Sequence, residues 1–223
     1  MPVVFNIATS GRNSSASATS ATWSHTTTTS ANRLMVVGVS MVSTASRVVT
    51  VVYNAASFLA IGSAIPISDA AGSIEMWRLV NPATGANTVE VKLSSGSRFV
   101  GAATTFSDVD QTAPVGTFVS ATSNNSALSI NVASAVDDLV IDALGTEGRV
   151  LTVGSGQTKR WDLESTGAGT NAQGAGSTEA GAASVTMSWT MDGNNVWVIG
   201  GASVKALISA VAVLEDESYV MVA

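Results

Sequence analysis

A single histidine, no cysteine, and 16 acidic against 10 basic side chains limit the chemistry open to this chain. A Ser-His-Asp mechanism would have to run through His25. That residue stands in Ala21-Thr-Trp-Ser-His-Thr, an alternating stretch that runs into further threonines, where a plain strand or loop residue is the simpler reading. Metal sites built on several histidines or on thiolates are excluded. Oxygen ligands for Ca²⁺ are present at Asp108 and Asp110, or at Asp137, Asp138 and Asp142. No EF-hand spacing accompanies them, and aspartate is an ordinary turn residue that bonds its own backbone. Glycoside hydrolysis needs two carboxyls about 5–10 Å apart in a cleft. Glu75 and Glu90 fall on adjacent predicted strands, where outward-facing positions explain them equally well. The glycines between Gly167 and Gly181 lack the lysine and the strand-to-helix setting of a phosphate loop. These readings name no catalytic residue, cofactor or resident metal.

Aromatic faces offer a different chemistry, because indoles stack on sugar rings. Trp77, Trp189 and Trp197 fall inside strong apolar runs and read as packing, whereas Trp161 stands in an irregular region and is the candidate for an exposed contact. Nucleic acid is disfavoured as a partner: the net charge is −6, and the one tight basic pair, Lys159-Arg160, reads as a solvated strand end. The asparagine sequons at Asn13 and Asn124 are at chance level.

The elements that would hold these residues are strands. The chain has 30 valines against 11 leucines, separated by Ser, Thr, Gly, Ala and Asn. Valine is stiff at its first torsion and suits a pleated surface, while the spacers are turn formers. The expected fold is all-β: a jelly-roll-like antiparallel sandwich of two packed sheets, with long loops and little helix. Residues 1–205 form one domain and residues 206–223 a C-terminal strand or arm. Val3–Ile7 opens the chain and Ser10–Ser20 reads as a loop. Arg33–Val42 is a buried strand with Arg47–Tyr53 as its neighbour. Ser73–Val80 places Ile74, Met76 and Leu79/Val80 near the core with a slip in phase. Asn87–Leu93 turns Val89, Val91 and Leu93 inward and Glu90 and Lys92 outward. Arg98–Phe106 leads into a turn at 107–114. Short strands follow at Thr117–Ala121 and Ala127–Val132, then a buried one from Asp137. Gly154–Gly181 reads as one long exposed loop. Two last strands, Ala183–Thr190 and Asn195–Val204, flank a hairpin turn at Asp192-Gly193.

Charged residues make up 12% of the chain, about half the usual quarter. The surface is therefore expected to be rich in Ser, Thr, Ala and Gly, and suited to close packing against neighbours. The N-terminal Met1-Pro-Val-Val-Phe-Asn-Ile has neither a basic segment nor a long apolar one and is expected not to be a signal peptide. The apolar stretches fall short of the ~20 residues that span a bilayer, so no membrane partner is expected.

Several stretches resemble Ser/Thr/Gly-rich β-sandwich modules of bacteriophage virion proteins and of large secreted bacterial surface proteins. They are Asn32-Arg-Leu-Met-Val-Val-Gly-Val-Ser, Val49-Thr-Val-Val-Tyr and Glu75-Met-Trp-Arg-Leu-Val-Asn-Pro-Ala-Thr-Gly. Phe106-Ser-Asp-Val-Asp-Gln-Thr-Ala-Pro, Asp137-Asp-Leu-Val-Ile-Asp and Gly174-Ala-Gly-Ser-Thr-Glu-Ala-Gly-Ala-Ala-Ser-Val-Thr-Met-Ser-Trp continue the series. The resemblance spans residues 30–205. It implies a non-enzymatic structural protein on the surface of a phage capsid, a decoration or cement protein that binds the major capsid protein and itself, as a trimer. A carbohydrate-binding or adhesive module of a phage fibre or bacterial surface protein is the alternative.

The tail stands outside the resemblance. Leu207, Val211, Val213, Leu214, Tyr219, Val220 and Val222 place apolar groups on both faces of an extended segment, interrupted by Glu215-Asp-Glu. Such a strand needs cover on both sides. It is either an interaction arm or, over Ala206–Val213, a continuation of the last core strand.

Overall fold

The computed structural model describes residues 1–65 and 72–208. Among them there are strands and no helix. The first half of the chain supplies β1 (Val4–Asn13), β2 (Ser20–Thr27), β3 (Leu34–Met41), β4 (Val48–Tyr53), β5 (Ala56–Ser57), β6 (Leu59–Ile65), β7 (Ser73–Val80), β8 (Gly85–Leu93) and β9 (Phe99–Ser107). The second half supplies β10 (Val119–Ala133), β11 (Leu139–Thr146), β12 (Leu151–Val153), β13 (Thr158–Glu164), β14 (Gln173–Ala180) and β15 (Ser184–Val204). Every pairing is antiparallel.

The fold is an antiparallel β-sandwich, but with three sheets where two were expected. The first runs β2-β8-β4-β5, the second β1-β9-β3-β7-β6, and the third β10-β15-β11-β14-β13 with β12 on the flank of β15. The second sheet is covered on both faces. Met35, Val37, Val39 and Met41 point to the first sheet and meet Val51, Tyr53, Val89 and Val91. Leu34 and Val36 point the other way, with Ile74, Met76 and Phe106, and meet Ile141, Trp161 and Val198 of the third sheet. Burial on both faces explains why every residue of β3 and β9 is buried, and why β3 reads as an unbroken apolar run. It also removes the slip in phase expected in β7: Ile74, Met76 and Val80 serve one core, and Trp77 and Leu79 the other.

β4 is not hydrogen-bonded to β3, whose partners are β7 and β9. The two valine-rich strands lie in different sheets and meet face to face through side chains. β8 follows its alternation, with Val89 and Val91 fully buried, Leu93 nearly so, and Glu90 and Lys92 paired at 3.2 Å on the outside. β1 runs on through Gly11–Asn13, into the stretch expected to be a loop.

The third sheet folds over itself. Ala127–Ala133 pairs with Ser184–Thr190, and Val119–Asn125 with Asn195–Gly201, so β10 and β15 form one long ribbon. At its middle, Ser126 faces the excess residues Met191–Asn194. The ribbon bends there. A Cβ built on Gly201 would lie 2.9 Å from Ile130 Cδ1, although its strand partner is Val119. The folded-back half buries Leu128, Val132, Met187 and Trp189 against Val140, Leu144 and Ile199, which makes a third core. Asp192-Gly193 therefore lies at a corner and does not close a hairpin. The segments either side of it pair with β10 and not with each other, and the two short strands expected around residues 117–132 are one.

Gly154–Gly181 is likewise no exposed loop, since it contains β13 and β14, and Gln173–Thr178 is buried. Glycine suggested irregularity because it permits it. Here it makes room for a ring. Trp161 is only 9% exposed, and its indole lies 3.3 Å from where a Cβ on Gly38 would sit, 2.9 Å from one on Gly174, and in overlap with one on Gly176. The expectation of an exposed Trp161 contact is thus corrected: the indole is part of the core between the second and third sheets.

Candidate functional site: a buried acid cluster and a surface groove

The groups that could do chemistry are mostly spent on holding strands together. His25 is fully buried between the first and second sheets, with Nδ1 2.7 Å from Thr9 Oγ1 and Nε2 3.3 Å from Thr105 Oγ1. Burial lowers its pKa from 6.5 to about 4, so the ring is neutral near pH 7. Glu75 is buried, not outward-facing, and its Oε1 accepts from Ser46 Oγ, Arg47 N and Val48 N at 3.0–3.1 Å. It lies on β7 in the second sheet, whereas Glu90 lies on β8 in the first, so the two do not form a pair. Asp110 accepts from Thr112 N and Ala113 N, as expected of a turn residue, and those bonds lower its pKa. Among the described residues no group of three His, Cys, Asp or Glu side chains is placed to hold a metal ion.

One cluster stands apart. Asp142 of β11 is buried between the third sheet and its folded-back ribbon. Its Oδ1 accepts from Ser177 N at 2.6 Å and Ser177 Oγ at 2.9 Å. Its Oδ2 accepts from Trp189 Nε1 at 2.7 Å and Gln157 Nε2 at 3.4 Å. Desolvation raises its pKa from 3.8 to about 6; the donors from Trp189 and Ser177 oppose the rise and the nearby Glu179 charge adds to it. Gln157 is fixed at both ends of its carboxamide: Nε2 donates to Ser177 Oγ at 2.7 Å, and Oε1 accepts from Ser188 N at 2.7 Å. Glu179 Oε2 is buried with no hydrogen-bond partner among the described residues. Asp142 was visible in the sequence only as one of several aspartates. Its partners come from β13's approach, β14 and β15, and no spacing in the sequence announces them.

The surface offers a groove of about 760 Å³ where the described chain ends. Met1, Val136 and Ile208 border it, 59%, 81% and 82% exposed. The described part of the tail does not extend β15 as a strand, which ends at Val204. It crosses toward the turns instead: Ala206 N donates to Asp138 Oδ1 and Leu207 N to Asp108 O, both at 2.9 Å, and Leu207 is half-buried. Val211, Val213, Tyr219, Val220 and Val222 lie outside the described residues.

A second surface feature is the free side of β10. Among the described residues this strand of 15 residues ends its sheet and pairs only with β15; it holds no Lys, Arg, Asp, Glu or Pro. At the opposite edge of the sheet, β13 carries Lys159, Arg160, Asp162 and Glu164. Charges of that kind discourage a foreign strand from pairing, and β10 has none. No helix among the described residues is long and apolar enough to cross a membrane.

Comparison with protein-family models, with curated proteins and with solved structures finds no match to this chain.

Proposed function

We propose that this chain is a non-enzymatic structural protein of a bacteriophage particle, a decoration or cement protein that lies on the outside of the capsid and binds the major capsid protein. The observation that carries the reading is the uncharged edge of β10, which no described strand covers. An uncharged strand of that length is a template for main-chain pairing, and proteins that work alone blunt such edges. A protein built to lie among close neighbours keeps one open. The resemblance of residues 30–205 to virion modules supports the same reading. So does the outer row of the edge, Ser120, Thr122, Ser129 and Asn131, all exposed and neutral. The carbohydrate-binding alternative loses its leading candidate, since Trp161 is in the core. The test is mass spectrometry of particles purified by density gradient from the source of this chain. The chain is expected in stoichiometric proportion to the major capsid protein, and its absence from intact particles would sink the proposal.

Self-association, as a trimer, belongs to this proposal. Head-to-tail contacts between an open edge and another part of the next copy can close into a ring. Light scattering at tens of micromolar is expected to give a trimer. Ser129→Lys, on an exposed position of the edge, is expected to shift it toward monomer without lowering the melting temperature. An unchanged trimer would remove β10 from the interface.

The tail is proposed as an arm that covers an apolar surface on a neighbour. Deletion of residues 215–223 is expected to leave the fold and melting temperature intact while weakening assembly. If deletion instead unfolds the protein with no separate effect on association, the segment belongs to the core.

A further inference from the structure

The side chains of Ser177, Gln157 and Asp142 are arranged as a nucleophile, an acyl donor and a base. Ser177 is 2% exposed, and its Oγ lies 2.9 Å from Asp142 Oδ1, an acceptor for its proton. The same Oγ lies 2.7 Å from the carboxamide nitrogen of Gln157. The orientation of that carboxamide is fixed by chemistry: the atom 2.7 Å from Ser188 N must be the oxygen, because a backbone N–H can only donate. Ser188 N–H is thus already bonded to the oxygen on which negative charge would develop. Two further observations distinguish this cluster from an ordinary hydrogen-bonded network. Glu179 Oε2 is buried with no partner among the described residues, and Glu179 Oε1 lies 2.5 Å from where a Cβ on Gly156, the neighbour of Gln157, would sit. A second carboxylate therefore flanks the group and raises the proton affinity of Asp142, whose pKa is about 6.

We propose that Ser177 and Gln157 join in an intramolecular ester that ties β14 to the segment leading into β13. Asp142 takes the proton from Ser177 Oγ, and Oγ attacks Gln157 Cδ after the carboxamide turns about its last torsion, which is soft. The turn is partial, so Oε1 stays within reach of Ser188 N–H as the C=O π pair moves onto it. The tetrahedral intermediate collapses by breaking the Cδ–Nε2 bond. The nitrogen takes the proton back from Asp142 and leaves as ammonia, so carboxamide and hydroxyl become ester and ammonia with no oxidant, reductant or cofactor. The structure describes the state before the bond forms. The link would give a cysteine-free chain a covalent staple across its third sheet. It does not depend on the particle role proposed above.

Trypsin provides a direct test, because Lys159-Arg160 lies between the two residues. Complete digestion of the unmodified full chain separates Val150–Lys159 from Trp161–Lys205. The linked protein yields the two joined, lighter than the sum of the two free peptides by about 17 Da for the ammonia lost. Alkaline hydroxylamine is expected to release them. Ser177→Ala and Gln157→Glu are expected to yield both peptides free. Gln157→Glu is nearly isosteric, so it reports even if Ser177→Ala or Asp142→Asn folds poorly. Recovery of free, full-mass Val150–Lys159 from folded wild-type protein would overturn the proposal. Loss of ammonia from that peptide persisting in Ser177→Ala would overturn it too.

Discussion

Trp161→Ala is expected to lower the unfolding free energy by about 3–5 kcal/mol, the range for removing a large aromatic from a packed core. The indole fills a slot whose walls are glycines, so nothing is positioned to collapse into the space: Gly38 lies on one sheet, Gly174 and Gly176 on the other. The reciprocal change makes the same point from the opposite side. Gly176→Ala would overlap Trp161 Nε1 and stand 2.8 Å from the backbone oxygen of Asp142. Gly176 is not among the glycines with positive φ, so an alanine there meets no backbone strain. Gly→Ala at a compatible position normally stabilises by about 0.4–1 kcal/mol. Here overpacking reverses the sign, to a loss of about 1–3 kcal/mol or more. In the double variant the clash with the ring is gone, and the two losses are expected to sum to less than their separate values. Urea titration of the four proteins reads all of this. A Trp161→Ala effect below about 1 kcal/mol would mean that the indole is not in the core.

Which parts of the fold the sequence discloses depends on how many faces a strand buries. β8 buries one, so Val89, Val91 and Leu93 alternate with Glu90 and Lys92 and can be read directly. β3 buries two, and its apolar run discloses burial but not which sheet lies on which side. That ambiguity is why the sequence shows β4 as a neighbour of β3 without showing that it lies in a facing layer. The corner at Asp192-Gly193 misleads for a related reason. A local turn signal says that the chain bends, while the partner of the two arms is decided by β10, roughly sixty residues earlier in the chain, which loop-closure entropy and core burial select together. β14 was unreadable because its information is in what it lacks: Gly174 and Gly176 make sense only once Trp161 is placed on them. The acid cluster was hidden in the same way. Asp142 looks like the aspartates around it until β13, β14 and β15 bring Gln157, Ser177 and Trp189 to its carboxylate.

The wild-type protein is expected to hold nearly constant stability from pH 6.5 to pH 4, through two buried groups of opposite sign. His25 is neutral in the fold, with its pKa lowered from 6.5 to about 4 by burial. Its contribution is present above pH 6.5 and is lost as pH falls toward 4, because the unfolded chain binds the proton first. Asp142 behaves in reverse, with its pKa raised from 3.8 to about 6, chiefly by desolvation. Its contribution is fully present below pH 3.8 and is lost as pH rises through 6. Each amounts to about 3 kcal/mol at 1.36 kcal/mol per tenfold change in proton affinity, so the two nearly cancel across the window. Single substitutions uncover them. His25→Gln, whose amide can still meet Thr9 and Thr105, is expected to leave a protein that gains about 3 kcal/mol as pH falls from 6.5 to 4. Asp142→Asn is expected to leave one that loses about as much over the same range. It also lowers stability at every pH, because an amide nitrogen replaces one of two oxygens that both accept bonds. That offset, and the loss of any Ser177–Gln157 link, shift the whole curve and leave its slope to His25. Denaturant midpoints at pH 7, 5.5 and 4 separate slope from offset. Parallel curves for the wild type and both variants would show that neither group titrates differently in the folded and unfolded chains.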